Sequence, residues 1–303
     1  MQLRLSDQPL FLVLVAVSAL SMLLPALVGL AMEDFLIARS YLYAGLIGLF
    51  LCWLIAIARG RRPQGRRNAD LVGLLSLLGA YVLIPAYLAI PFHESLKSTT
   101  FLNAYVEMVS ALTTTGATMF EPGRLHPALE LWRAQIGWMG GLLIWVAAAA
   151  VLAPLNLGGF EVTWAAAPGS AGGDSDRFTR ADILRRVIRV TAQLAPVYLM
   201  LTGVLWVLLL INGDTALTAL CHAMSTLSTS GISPVGGLSN SDSGIPGEMV
   251  VFLFLIFALS RISFTSDTSV SRFGLHLDPE LRLGTLIVLG VPLLLFLRHW
   301  IAA

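Results

Sequence analysis

Charge is scarce in this 303-residue chain: 12% of its residues are charged, where a soluble domain carries roughly 25%. A chain so poor in charge cannot cover a globular surface, which excludes a soluble enzyme. Lys97 is the only lysine, and the formal net charge of +1 supplies no basic field for nucleic acid. Cysteine is equally sparse. Cys52 and Cys221 lie far apart in apolar surroundings and read as small buried hydrophobes, not as a disulfide or metal ligands. The five histidines form no HExxH pair, and no nucleophile elbow, phosphate loop or dinucleotide fingerprint is present. Enzyme hypotheses have little to hold.

What the chain has instead is long apolar runs, at Gln8–Met32, Ser40–Ala58, Leu71–Phe92, Ala134–Phe160 and Val190–Gly213. Each exceeds the roughly 17 residues a helix needs to cross the hydrocarbon core. The run Met249–Ser260 stops at Arg261, and Leu283–Leu297 lies between Arg282 and Arg298; both can span if the arginines snorkel. The expectation is about seven crossings in an all-α integral membrane protein. A cleaved signal peptide is the minority alternative for the first run, which is long for such an apolar core and is preceded by a single Arg4.

The arginines set the predicted orientation. Arg59, Arg61, Arg62, Arg66 and Arg67 follow the second run, and Arg177, Arg180, Arg185, Arg186 and Arg189 follow the fourth. With Arg4, Arg261, Arg272 and Arg282, one side holds 14 of the 19 cations. The positive-inside rule makes that side cytoplasmic, with the N-terminus inside a plasma membrane, the bacterial inner membrane. These clusters read mainly as topology determinants and lipid head-group contacts.

An internal repeat gives the apolar runs a pattern. Ser110–Thr118 reads SALTTTGAT, and 115 positions later Ser225–Ser233 reads STLSTSGIS. Ser110, Leu112, Thr114 and Gly116 recur as Ser225, Leu227, Thr229 and Gly231, and upstream Leu102 and Ala104 recur as Leu217 and Ala219. Each copy follows about a dozen mostly apolar residues, and a helix of that length rises only about 18 Å, half a bilayer. Both copies therefore predict a re-entrant pore helix followed by returning, non-helical chain, which is tolerated at membrane depth only where protein buries it or water lines it.

The returning chain suits a dehydrated monovalent cation. Glycine lets successive carbonyls face an axis, and a ring of carbonyls can replace a hydration shell. The candidate filter is Thr113, Thr114, Thr115, Gly116, Ala117 and Thr118 with Ser228, Thr229, Ser230, Gly231, Ile232 and Ser233. Potassium would be held by backbone carbonyls near Thr115, Gly116, Ser230 and Gly231, as substrate, with no bound cofactor. A hydroxyl-rich surface turn is the plain alternative for either copy alone; the pair, each behind a half-membrane helix, favours the filter.

These residues resemble the TrkH/KtrB (Trk/Ktr/HKT) family of potassium uptake proteins. The resemblance runs through TTTGAT, Glu107, LWRAQIGWMGG at Leu131–Gly141, the APLNLGGFEV stretch, CHAMSTLSTSGIS and LDPELR at Leu277–Arg282. It implies helix–pore-loop–helix repeats, with a leading hairpin at residues 1–68, a first pore unit at 69–164, a linker at 165–182, a second unit at 183–265 and the opening helix of a third at 266–303. The family has four such units around one pore, so Gly116 and Gly231 match its first two filter glycines. Ser230 departs from the glycine common before the second. Two units make half a ring, so the chain alone as a monomer is predicted not to conduct. Either a separate polypeptide supplies the missing repeats, or two copies assemble, or the chain is a truncated remnant or a modulatory subunit pairing with a full-length paralogue. The resemblance also implies a homodimer and a cytoplasmic ring of nucleotide-binding regulatory subunits.

Further residues stand out. Glu107 lies at membrane depth, where an ionisable group is a functional hypothesis, and bracing the filter is its favoured role. His222 is its counterpart in the second copy and reads as a hydrogen-bonded structural residue. Trp132 and Arg133 are expected to anchor the outer interface. Gly140 and Gly141 suggest close helix packing, and AAAPGSAGGDSD in the linker suggests a flexible connection.

Overall fold

The computed structural model describes residues 8–59, 69–152 and 183–259, with a few isolated positions between 284 and 294. Among the described residues all regular structure is helical. Five helices among these residues are long and apolar enough to cross a membrane.

The first apolar run is one span in two pieces, α1 (Leu10–Ser21) and α2 (Leu23–Ala31), broken at Met22. Pro25 causes the break. It has no N–H to give to the carbonyl of Ser21 four residues earlier, and its ring crowds that carbonyl. The freed oxygen instead accepts a hydrogen bond from Gln135 Nε2 at 2.9 Å, from a residue 114 positions later. After a short turn, Asp34 Oδ1 accepts from the N–H groups of Leu36 and Ile37, both at 3.1 Å, and so satisfies the first free donors of α3 (Phe35–Arg59).

α3 and α4 (Ala69–Leu96) meet where Gly48 leaves room for Tyr87, whose hydroxyl donates to the carbonyl of Ala44 at 2.8 Å. Two helix–short helix–helix units then follow. The first is α4, the short α5 (Phe101–Leu112) and α6 (Pro127–Ala147), which runs on through a π-helical turn at Ala148–Leu152. The second is α7 (Ile183–Ile211), the short α8 (Ala216–Leu227) and α9 (Gly244–Leu259). Within each unit the short helix packs between its long neighbours, and α6 also packs against α8, which joins the units. One buried core spans the hairpin and first unit around Tyr41, Phe92, Met108 and Trp132, and a second lies around Tyr198, Leu205, Leu209 and Leu227. Outward-facing Phe50, Trp53, Leu54 and Ile55 of α3 are about half exposed, an apolar band that only acyl chains or protein can cover.

The fourth crossing differs from its predicted limits. It begins at Pro127, not Ala134, because Glu130 and Arg133 inside it neutralise one another (below). The sixth run forms the 16-residue α9, shorter than the five spans. All but a few isolated positions of the seventh run, the linker at 165–182, the APLNLGGFEV and LDPELR stretches, Arg4, Arg61–Arg67, Arg177, Arg180 and Arg261–Arg282 lie outside the described residues. Alternation of the spans brings the C-terminal end of α3 at Arg59 and the N-terminal turns of α7 at Arg185, Arg186 and Arg189 to one side of the bundle. Both short helices start from the other side.

Candidate functional site

The short helices begin and end alike. Thr100 caps α5 by accepting from the N–H of Asn103 at 3.3 Å, and Thr215, 115 positions on, caps α8 by accepting from Thr218 at 3.4 Å. At the other end Thr115 N donates to Ser110 O at 2.9 Å and Thr114 N to Ala111 O at 3.0 Å. The second copy repeats the pattern, Ser230 N to Ser225 O at 2.9 Å and Thr229 N to Thr226 O at 3.1 Å. These paired bonds form a Schellman motif, which needs a left-handed residue just past the helix and usually finds glycine there. Here the residues are Thr114, φ 56°, and Thr229, φ 52°. A β-branched residue in that region is strained, and both copies hold it, a pattern that points to function.

Gly116, φ 72°, and Gly231, φ 69°, follow two positions later, so each loop alternates left-handed and ordinary backbone through the candidate filter. Ser230, like Thr115 in the first loop, does not have a positive φ. The loops approach closely: a Cβ on Gly116 would lie 1.9 Å from the carbonyl oxygen of Ser230. Thr113, Thr115, Ala117, Thr118, Thr229 and Gly231 are exposed, whereas Ser228, Ser230 and Ile232 are buried. Ser110 Oγ donates to the carbonyl of Ala117 at 2.6 Å, and Thr113 and Thr115 share a hydroxyl–hydroxyl bond of 2.8 Å. In the second loop Ser228 Oγ donates to Ser230 Oγ at 3.0 Å. The hydroxyls thus support the backbone. α5 and α8 also direct the negative ends of their dipoles at these loops.

α6 stands between the loops and presents three glycines to them. A Cβ on Gly140 would lie 2.0 Å from the carbonyl oxygen of Leu112, the end of α5, and one on Gly141 would lie 2.8 Å from Cβ of Ser228, the end of α8. Gly137 faces Ser230 and Ile232. Side chains at these positions would drive the two loops apart.

The expected interfacial anchor at Trp132 and Arg133 is overturned. Trp132 is fully buried, edge-on to Tyr41 at 5.2 Å, and Arg133 is buried with two carboxylates. Its Nε lies 2.6 Å from Glu107 Oε1 and its Nη1 donates to Glu130 Oε2 at 2.6 Å. The pairing answers the cost of an isolated buried charge, so the helix can carry both charges inward. The other oxygen of Glu107 accepts from the N–H of Met119 at 3.0 Å.

His222 occupies the matching place on α8. Its Nε2 lies 2.8 Å from Ser233 Oγ, which accepts from the N–H groups of Val235 and Gly237. With both lone pairs of Ser233 engaged, its hydroxyl proton goes to Nε2. His222 Nδ1 faces Asp214 Oδ2 at 3.9 Å, while Asp214 Oδ1 accepts from Ser241 and from the N–H of Ser243 at 2.8 Å.

Glu130, Asp214, Ser241 and Ser243 escaped sequence reading. Only Glu130 had a visible signal, its i,i+3 spacing from Arg133 in an otherwise apolar run. Cys52 and Cys221 are free and buried. Among the described residues no three His, Cys, Asp or Glu side chains gather as a metal site.

Two half-membrane helices, each ending in a strained, glycine-bearing loop between long apolar helices, define a membrane protein of the pore-loop class. In sequence and fold the chain is similar to Trk system potassium uptake proteins. It is 28% identical to the Trk system potassium uptake protein TrkH of Salmonella typhimurium over 92% of its own length and 57% of that protein's. Over 75% of its length it is 30% identical to TrkG of Escherichia coli, covering 46% of that chain. The crystal structure of the potassium transporter TrkH from Vibrio parahaemolyticus superposes with a TM-score of 0.73 at 25% identity, covering 98% of this chain and 59% of that one. No protein-family model matches the chain. The chain thus spans under two thirds of the length of these relatives.

Proposed function

We propose that the chain contributes two of the four loops of a selectivity filter through which potassium crosses the plasma membrane. The observation that carries this reading is the duplicated backbone at Thr114–Gly116 and Thr229–Gly231, where left-handed residues alternate with ordinary ones behind the negative end of a short helix. Carbonyls near Thr115, Gly116, Ser230 and Gly231 replace water around the ion, and the remaining filter residues, Thr113, Ala117, Thr118, Ser228, Ile232 and Ser233, frame them. Exposure of the first loop's polar residues at membrane depth supports a further pair of loops facing them, from more polypeptide or a second copy.

The chain's N-terminus and arginine clusters are cytoplasmic in this reading, its outer helix faces touch lipid, and the complete transporter is a homodimer that meets nucleotide-binding regulatory subunits on the cytoplasmic side. Potassium-limited growth tests the function. Deletion of the coding sequence from its native host, which removes one uptake route, should raise the potassium concentration needed for half-maximal growth, with restoration by the wild-type sequence. Unchanged demand in a host stripped of other uptake routes contradicts it.

A further inference from the structure

We propose that Arg133 is a positioning residue for the first pore loop, acting through Glu107 to fix the chain just beyond Gly116. The inference rests on the filter reading above. Arg133 comes from α6, Glu107 from α5 and Met119 from the returning loop, so one buried guanidinium and one carboxylate tie three elements together. One oxygen of Glu107 forms an ion pair with Arg133 Nε at 2.6 Å, and the other accepts a hydrogen bond from Met119 N at 3.0 Å. An ionised carboxylate buried without the guanidinium would be too costly to keep, and in its protonated form it is a weaker acceptor for the Met119 N–H. Glu130, also 2.6 Å from the guanidinium, holds the arginine in place from one turn earlier on the same helix.

The second unit shows why the clamp is specific to the first. Position 234, the counterpart of Met119, is proline and has no N–H to offer a carboxylate. His222 stands there in place of glutamate and fixes the same stretch through Ser233, whose hydroxyl oxygen accepts from Val235 and Gly237. The two loops are thus held at equivalent points by different chemistry, and the ion-pair version makes the first loop dependent on a residue of α6. Loss of Arg133 should loosen the loop at Met119 and blur discrimination between cations, beyond any effect on folding.

The test uses the complex isolated from native membranes and placed in lipid nanodiscs or proteoliposomes, with amide hydrogen exchange at Met119 and the rubidium-to-sodium uptake ratio as readouts. Arg133→Met should speed exchange at Met119 about tenfold, as expected for a lost charge-assisted hydrogen bond, and lower the uptake ratio. Arg133→Lys should recover part of both. The triple variant Glu107→Met, Glu130→Met, Arg133→Met replaces the cluster by apolar side chains and should keep its melting temperature, yet still show fast exchange and a reduced ratio. It decides the matter if Arg133→Met does not fold. Wild-type exchange and uptake ratio in a folded triple variant would overturn the proposal. Absence of rubidium uptake by the wild type would count against the filter reading instead, and exchange at Met119 would still decide the clamp.

Discussion

Gly140 and Leu112 are in backbone contact: the end of the first pore helix rests on α6 where a Cβ would sit 2.0 Å from the Leu112 carbonyl oxygen. That carbonyl belongs to the helix end that leads into the first loop, so a change at Gly140 moves the loop. Gly140→Ala should destabilise the protein by about 1–3 kcal/mol through overpacking, read as a lower melting temperature in detergent. Gly203→Ala is the internal control. Nothing lies within 4 Å of its new Cβ, and alanine favours an α-helix over glycine, so its melting temperature should hold or rise.

The two loop glycines, Gly116 and Gly231, should differ in their tolerance of alanine. Both have positive φ, which costs an L-residue about 1–2 kcal/mol. At Gly116 the added methyl also meets the Ser230 carbonyl at 1.9 Å, whereas at Gly231 it meets open space. Gly116→Ala therefore has to displace the second loop and should lower the melting temperature more than Gly231→Ala. Equal effects would show that the loops do not abut.

Gln135 should matter to a helix far from it in sequence. It supplies the hydrogen bond that Pro25 denies to Ser21. Gln135→Leu leaves that carbonyl without a partner in apolar surroundings and should cost about 1–3 kcal/mol. The added variant Pro25→Ala, which returns an N–H four residues after Ser21, should recover much of the loss. The pair measured as a double-mutant cycle checks the coupling.

The repeat and the apolar runs made the bundle legible, since half-membrane length and hydroxyl–glycine loops are local features. The matching helix caps at Thr100 and Thr215 came only with the structure. What could not be read was anything depending on contact across the chain. Arg133 looks like an end-of-helix anchor when its neighbours are Trp132 and an apolar run; only folding brings Glu107 beside it from 26 positions away. Asp214 has the same history, because its partners Ser241 and Ser243 arrive from beyond the second loop. The break at Met22 is absent from the sequence reading, which runs Gln8–Met32 as one span; the rescue of Ser21 by Gln135 needs the tertiary structure.

The central claim is that backbone carbonyls of the paired loops carry a dehydrated potassium-sized cation. Rubidium-86 uptake into proteoliposomes containing the native complex, wild type against Gly116→Ala, tests it most directly. The account predicts saturable uptake in the wild type that potassium competes away better than sodium, and loss of that uptake in the folded variant. Undiminished, equally selective uptake by Gly116→Ala would contradict it.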